Sequence, residues 1–297
     1  MVSYQIILPF GILWLGVYCI LYRQIVAGTA FAMFSLSGFF YFDQINTRTL
    51  IPIGLLSILS FTTIYFYNKE NIFQRRYLYK LSFTVTIILS YAIATHIFGG
   101  FNNPIIATNL VLSDNAPAFS LYWNIDKTFV AFCLMLIYVS VTIRANVKPI
   151  SLLKNGVLSG IIVVVLTLTI AWTTELVSWA PKLPDVFIWW FVGNLFITCT
   201  AEEVFFRGII QNQIERSLTK HTQFAGLIAV TTAGVLFGLA HFSQGPLYII
   251  VAIIAGCGYG FVYRLTKRLE AAILTHLLVN TVHFLIFTYP LYQAPIK

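Results

Sequence analysis

The sequence predicts an all-α fold, a polytopic transmembrane bundle of about ten spanning helices. Three observations support this prediction. Of the 297 residues, 59% are hydrophobic and only 9% are charged, and the mean hydropathy of +0.84 lies far above the range of soluble domains. Apolar runs of ~20 residues, the length that crosses a bilayer core, recur along the chain. Lysines and arginines cluster at alternate breaks between these runs, as the positive-inside rule predicts.

Ten apolar runs, separated by polar or charged breaks, are predicted to be the spanning helices. They cover residues 4–22, 26–43, 49–67, 81–99, 128–144, 155–174, 186–215, 224–242, 246–263 and 270–288. The first run has no basic start and no small-residue cleavage site. It is therefore expected to be a retained helix and not a signal peptide.

The distribution of positive charge supports the count of ten helices. If Arg23 marks the cytoplasmic side and Arg207 is intramembrane, thirteen lysines and arginines lie on that side and four on the other, which favours both termini outside the cytoplasm. This topology accounts for the net charge of +8. No nucleic acid partner is expected, because no basic residues cluster with aromatic ones in a polar segment.

Three further features have structural interpretations. The longest break, residues 100–127, is predicted to be a loop, with a lid as the alternative. Gly256, Gly258 and Gly260 are predicted to permit close helix packing, because no strand precedes them as in a phosphate loop. The four cysteines lie in separate apolar runs without metal-ligand spacing and are expected to be inert core residues: Cys19, Cys133, Cys199 and Cys257.

The stretch AEEVFFRG, residues 201–208, places ionisable side chains inside an apolar helix. Such a group costs at least ~2.5–3.5 kcal/mol in the bilayer, so it normally faces a partner or a cavity and is a candidate for function. At ~100° per residue, Glu203 and Arg207 share a helix face and can form an i,i+4 ion pair. Glu202 then points elsewhere and is left to face a cavity. A purely structural ion pair is the alternative interpretation.

Histidines occur on two later helices. His241 lies in FGLAHF, while His276 and Asn280, in THLLVN, are four residues apart and share a face. Counted from the cytoplasmic interface at ~1.5 Å per residue, Glu202 lies about 20 Å deep and His241 about 25 Å, but His276 and Asn280 only about 9 and 15 Å. These groups are therefore expected to converge only if helices tilt or the last helix starts deeper.

The same residue types favour hydrolysis inside the membrane. A carboxylate can act as general base on water, and a histidine can share that water or protonate the leaving amine. A His/Asn pair can donate hydrogen bonds to an oxyanion. The chain has no HExxH motif, no GxGD motif and no GxSG motif. A zinc ion bound by Glu202, His241 and His276 remains the alternative, because zinc accepts nitrogen and oxygen ligands.

The motifs EEVFFR, FGLAH and HLLVN, in this order on separate apolar helices, resemble those of the CAAX protease and bacteriocin-processing family (CPBP, or Abi). Its eukaryotic members are the Ras-converting prenyl-protein endopeptidases. The resemblance covers about residues 186–288 and implies a glutamate-dependent intramembrane endopeptidase that needs no cofactor. It implies that Glu202 activates water with His241. Glu203 and Arg207 would support the base, and His276 and Asn280 would hold the oxyanion.

The resemblance divides the chain into two predicted parts. Residues 151–297 contain the catalytic core, while residues 1–150 supply transmembrane helices that dock a substrate or partner or only complete the bundle. The expected partners are membrane lipid and a peptide or protein substrate. A lipidated precursor, a precursor with a C-terminal membrane-associated or sorting signal and a secreted-peptide precursor fit equally well. The expected location is a bacterial inner membrane.

Two functions of other classes remain open from the sequence. The first is a non-proteolytic scaffold or bacteriocin-immunity protein built on the same fold. The second is a transporter in which Glu and His form a proton relay. A transporter is expected to show repeated halves, and the sequence has no visible internal repeat.

Overall fold

The computed structural model describes residues 2–67, 73–142 and 149–292. Within them the fold is all-α, as predicted, and ten helices match the ten apolar runs. They are α1 (Tyr4–Leu21), α2 (Ile25–Tyr41), α3 (Leu50–Tyr67), α4 (Phe73–Ala94), α5 (Ile125–Val141), α6 (Pro149–Thr173), α7 (187–218), α8 (Ala225–Leu239), α9 (Pro246–Thr266) and α10 (Leu269–Ile286). Four charges used for the predicted topology lie outside the described residues: Lys69, Arg144, Lys148 and Lys297.

Six helices of the described chain are long and apolar enough to cross a membrane, namely α1, α3, α4, α6, α9 and α10. Two more, α2 and α8, are apolar but shorter. The chain is therefore built as a multi-pass integral membrane protein. The number of crossings, ten, stays a prediction.

The largest difference in helix boundaries concerns α4. It was predicted to cover residues 81–99 but runs from Phe73 to Ala94. The early start includes the charged sequence QRRYLYK, because lysine and arginine are good helix formers even where hydropathy is low. The early end coincides with His96, which adopts a left-handed backbone conformation with φ of 63°, incompatible with a continuing right-handed helix.

The break predicted as a loop contains two short strands, β1 (Ile105–Leu110) and β2 (Phe119–Tyr122), that pair in a two-stranded sheet. The backbone N–H of Asn109 donates to Ser120 Oγ at 3.1 Å. The strands were not predicted, because four to six residues are too few for a clear alternating pattern.

The chain separates into two compact units. The first contains α1 to α5 together with nine residues of α7, Phe196–Val204. The second contains α6, the rest of α7, and α8 to α10. The first unit thus draws its last segment from beyond residue 150. The division into parts 1–150 and 151–297 also concerns catalytic roles and stays a prediction.

Close helix contact organises the first unit. A Cβ added to Gly28 of α2 would lie 2.8 Å from the carbonyl oxygen of Gly16 in α1, so only glycine allows this approach.

At the start of α5, Asp126 is almost completely buried, with its Oδ2 2.5 Å from His96 Nδ1 and 3.2 Å from Asn103 Nδ2. The carboxylate also sits in the first turn of α5, where the helix dipole favours negative charge.

Close contact likewise joins α8 and α9 in the second unit. A Cβ added to Gly234 would lie 2.5 Å from Cys257 Sγ and 2.8 Å from its backbone nitrogen, and one on Gly256 would lie 3.2 Å from the backbone of Gly234. The prediction that the glycines of AGCGYGF permit close packing is therefore confirmed. Of the four cysteines, Cys133 and Cys199 are buried, and Cys19 and Cys257 are partly exposed.

Candidate active site

Helix α7, which carries the AEEVFFRG stretch, alternates between α and π geometry. Its five consecutive segments are α (Phe187–Gly193), π (Asn194–Cys199), α (Thr200–Glu203), π (Val204–Gln211) and α (Asn212–Leu218). A π-helix closes i→i+5 hydrogen bonds, is rare, and often occurs at functional sites. No residue pattern predicted it.

The two carboxylates lie in the single α-helical turn between the π segments, Thr200–Glu203. Glu203 is fully buried, whereas Glu202 is partly exposed. Both belong to the part of α7 that packs with the first unit. Since Arg207 lies in the following π segment, the 100° spacing that placed Glu203 and Arg207 on one face does not apply unchanged. Their ion pair stays a prediction.

Arg207 is fully buried in the second unit. Its Nη2 donates a hydrogen bond of 2.6 Å to the carbonyl oxygen of Gly256 in α9. The guanidinium carbon lies 4.8 Å from the ring centroid of Phe237 and 5.3 Å from that of Tyr259. Aromatic faces attract a desolvated cation by up to ~2 kcal/mol or more. The charge is thus stabilised by aromatic rings and by a carbonyl group.

A second contact repeats this arrangement four residues later. Gln211, also fully buried, donates from Nε2 to the carbonyl oxygen of Gly260 at 3.1 Å. A Cβ on Gly260 would lie 2.7 Å from Gln211 Oε1. Because Gly260 has no side chain, the Gln211 amide can approach its carbonyl group. Gln211 was not predicted, because it is not ionisable and lies outside the three motifs. An uncharged amide inside an apolar run would have identified it.

His241 lies just beyond the end of α8, before the turn Phe242–Gln244. Its Nδ1 is 2.8 Å from the carbonyl oxygen of Phe237. A carbonyl oxygen only accepts, so Nδ1 carries the proton, and Nε2 is the basic nitrogen of the neutral ring. The imidazole also contacts the Phe237 ring at 4.8 Å. His241 is therefore oriented with a defined tautomer.

His276 on α10 is buried against the same phenylalanine. Its ring stacks on Tyr259 at 4.5 Å and meets Phe237 edge-on at 5.6 Å. Arg207, His241 and His276, from three different parts of the chain, thus all contact Phe237. Two of the residues whose convergence was expected to need tilted helices, His241 and His276, thus share a neighbouring ring.

Asn280, one turn beyond His276 on α10, is held from α7. Its Nδ2 donates to Asn194 Oδ1 at 3.0 Å, and Asn194 opens the first π segment. Asn194 was not predicted, for the same reason as Gln211. His283, by contrast, donates from Nε2 to the carbonyl oxygen of Thr288 at 3.1 Å, which indicates a structural role at the end of α10.

The zinc alternative requires Glu202, His241 and His276 to form one ligand set. Across residues 2–67, 73–142 and 149–292, no group of three or more His, Cys, Asp or Glu side chains is arranged to hold a metal ion. Glu202 belongs to the first unit and the two histidines to the second, and the expected independence from metal stays a prediction.

Residues 184–282, about a third of the chain, match the sequence model of a family described as type II CAAX prenyl endopeptidase Rce1-like. No curated protein and no solved structure shows a significant match to the chain. The matched range contains all the motif residues considered above. This part of the chain is therefore similar to a family of proteases, enzymes that hydrolyse peptide bonds. The resemblance to the CAAX protease and bacteriocin-processing family is thereby confirmed for this segment.

Proposed function

We propose that the chain is an intramembrane endopeptidase that uses a glutamate to activate water. The observation that carries this proposal is the cluster of Arg207, His241 and His276 around Phe237, inside the segment that matches the CAAX prenyl endopeptidase family. Ionisable groups brought together among apolar helices favour catalysis over a passive scaffold.

Glu202 is the general base in this mechanism. It takes a proton from water, and the resulting hydroxide attacks the carbonyl carbon of the scissile peptide bond. Partial exposure of Glu202 is consistent with access to water. Glu203 and Arg207 support the base through their charges. His241 accepts a hydrogen bond from the water at Nε2, and the proton taken up by Glu202 is transferred through this nitrogen to the leaving amine as the C–N bond breaks.

His276 and Asn280 stabilise the tetrahedral oxyanion. Stacking of His276 on Tyr259 fixes the plane of the imidazole, and ring N–H groups lie in that plane. Asn194 fixes the carboxamide of Asn280 through the 3.0 Å hydrogen bond. Donors held in place before the reaction stabilise developing charge without the cost of reorganisation.

The proposed substrate is a membrane-associated peptide or protein, cleaved near a C-terminal lipid or sorting signal. The family description names prenylated CAAX substrates, and a prenyl chain would partition into the same bilayer as the site. Location in a bacterial inner membrane and independence from metal belong to the same proposal.

The test compares peptide termini, by mass spectrometry of membranes, between cells with the wild type and cells with Glu202→Gln at equal expression. Loss of defined termini in the variant would identify the substrate and the base. Glu215→Gln is the matched control, because Glu215 lies on the same helix in an exposed 3.4 Å pair with Lys267, which contributes little. Identical termini in all three would contradict the protease and favour a non-proteolytic scaffold or immunity protein.

A further inference from the structure

The turn of α7 that carries Glu202 packs against α5, and α1, far outside the segment that matches the family, contacts the same stretch of α7. Trp14 stacks on Phe196 with ring centroids 4.9 Å apart and planes at 15°. Tyr18 meets Phe196 edge-on at 5.5 Å, and its hydroxyl lies 3.4 Å from Thr200 Oγ1. Thr200 is the first residue of the turn Thr200–Glu203. Two residues of α1, four apart, thus contact two residues of α7, also four apart.

The α1 side of this contact is itself rigidly packed. Trp14 lies 5.1 Å from Trp123 and 5.7 Å from Phe10, and the last two are 5.4 Å from each other. Phe10 and Trp123 are almost completely buried. Densely packed aromatic side chains resist displacement, so these rings give Phe196 a fixed surface to stack on.

The turn Thr200–Glu203 needs such a support because of the segments that flank it in α7. It is a single α-helical turn with a π segment on either side, so the regular i→i+4 ladder does not continue through it. The direction of Glu202 is then set by what holds Phe196 and Thr200. A displacement of ~1 Å at a catalytic group can cost ~10²-fold in rate.

We propose that Trp14 and Tyr18 of α1 are positioning residues for the catalytic turn of α7. The proposal rests on the function of Glu202 given above. It assigns a role in catalysis to the N-terminal helices, for which the sequence left substrate docking and completion of the bundle as alternatives. It predicts that Tyr18 and Trp14 act on the chemical step through Glu202.

The first test measures the geometry of the turn without any substrate. In the Glu202→Cys variant, the rate of modification by a small thiol reagent is read on the peptide that carries residue 202. Adding Tyr18→Phe or Trp14→Leu should raise this rate about twofold to tenfold, the equivalent of one lost hydrogen bond or contact. Tyr4→Phe and Leu15→Ala, exposed positions of the same helix, should leave it unchanged. Equal rates in all variants would overturn the proposal.

The second test measures cleavage, as the amount of the Glu202-dependent termini at equal protein level. Tyr18→Phe and Thr200→Val should each lower it about twofold to tenfold. The double variant should lose no more than either single variant, because both remove the same hydrogen bond. Trp14→Leu should lower cleavage further, and Trp14→Phe should restore most of it, since a ring can still stack on Phe196.

The outcomes separate this proposal from the proposed function. Changed labelling at residue 202 without any Glu202-dependent termini in wild-type cells would contradict the protease but keep the positioning role. Cleavage could instead fall only in proportion to the melting temperature of each variant, with no rescue by Trp14→Phe. That result would show that the contact is structural and would contradict the positioning role.

Discussion

Arg207 illustrates at the scale of one residue how the second unit holds a full charge away from water. Its planar guanidinium group donates to the Gly256 carbonyl while its carbon lies 4.8 Å and 5.3 Å from the centroids of the Phe237 and Tyr259 rings. A lysine ammonium is compact and cannot stack in this way. The sequence indicated that Arg207 is intramembrane and predicted Glu203 as its partner, but it did not indicate these contacts.

Arg207→Lys should therefore be damaging although it preserves the charge. We expect the free energy of unfolding to fall by roughly 1–3 kcal/mol, the cost of an unsatisfied buried group, and cleavage to be largely lost. Thermal unfolding in detergent and the termini assay measure the two effects. Arg216→Lys, at the exposed end of the same helix, is the control. Wild-type behaviour of Arg207→Lys would mean that only the positive charge matters.

Lys182, in the connection between α6 and α7, links stability to pH. Partial burial lowers the pKa of its amine from 10.5 to about 8, while Nζ donates to the carbonyl oxygens of Ala180 and Phe287. Between about pH 8 and 10.5 the unfolded state binds more protons at this site than the folded state. The free energy of unfolding therefore rises with pH across that window.

Lys182→Met should remove this dependence. The melting temperature of the wild type minus that of Lys182→Met is expected to increase from pH 7.5 to pH 9.5, because deprotonation relieves the cost of burying the charged amine. Thermal unfolding at stepped pH provides the measurement. A constant difference over this range would show that the pKa of Lys182 is not lowered in the folded protein.

At the scale of elements, the ten helices could be predicted because each apolar run is recognisable from its own residues. Their internal geometry could not. The π segments of α7 coincide with polar side chains, Asn194, Arg207 and Gln211, that bond to other helices. The sequence alone does not specify those partners, because they depend on which helices pack together. The close approach of α8 and α9, in contrast, was predictable from small residues alone.

Gly234→Ala tests that approach. The added methyl group would lie 2.8 Å from a backbone nitrogen of α9, which cannot move aside as a side chain would, so the two helices must separate. We expect a loss of roughly 1–3 kcal/mol in the free energy of unfolding, as in overpacked cores. Thermal unfolding measures it.

Gly54→Ala is the matched control for this substitution. Nothing lies within 4 Å of a Cβ at Gly54 in α3, and alanine is the better helix former by up to ~1 kcal/mol. Stability should be unchanged or slightly raised. Equal effects of the two substitutions would contradict the assignment of Gly234 as a packing contact.

At the scale of the whole molecule, the matched segment is not a separate unit. Residues 184–282 carry the family resemblance, yet Phe196–Val204 packs with α1 to α5. The carboxylates are thus held by helices that carry no recognisable motif. A division of the chain by motif alone does not reproduce its division by packing.

The intact protein is expected to work without a metal. Purified wild-type protein should contain no stoichiometric zinc and should keep its activity in the presence of a chelator, because in the proposed mechanism Glu202 acts directly on water. Elemental analysis of the active fraction, followed by the termini assay after chelation, tests both statements. One tightly bound metal ion per active molecule would instead favour the zinc alternative.

The sequence by itself determined the all-α membrane fold, the order of the helices and the candidate residues, because hydropathy and short motifs are local properties. Only the tertiary structure decided that Arg207, His241 and His276 share Phe237, that Asn280 bonds to Asn194, and that α1 contacts the turn of Glu202. These contacts join residues as far apart as Tyr18 and Thr200, 182 positions along the chain. The physical reason is that a buried polar group takes its partner from whichever helix packs beside it, and local sequence does not specify that neighbour.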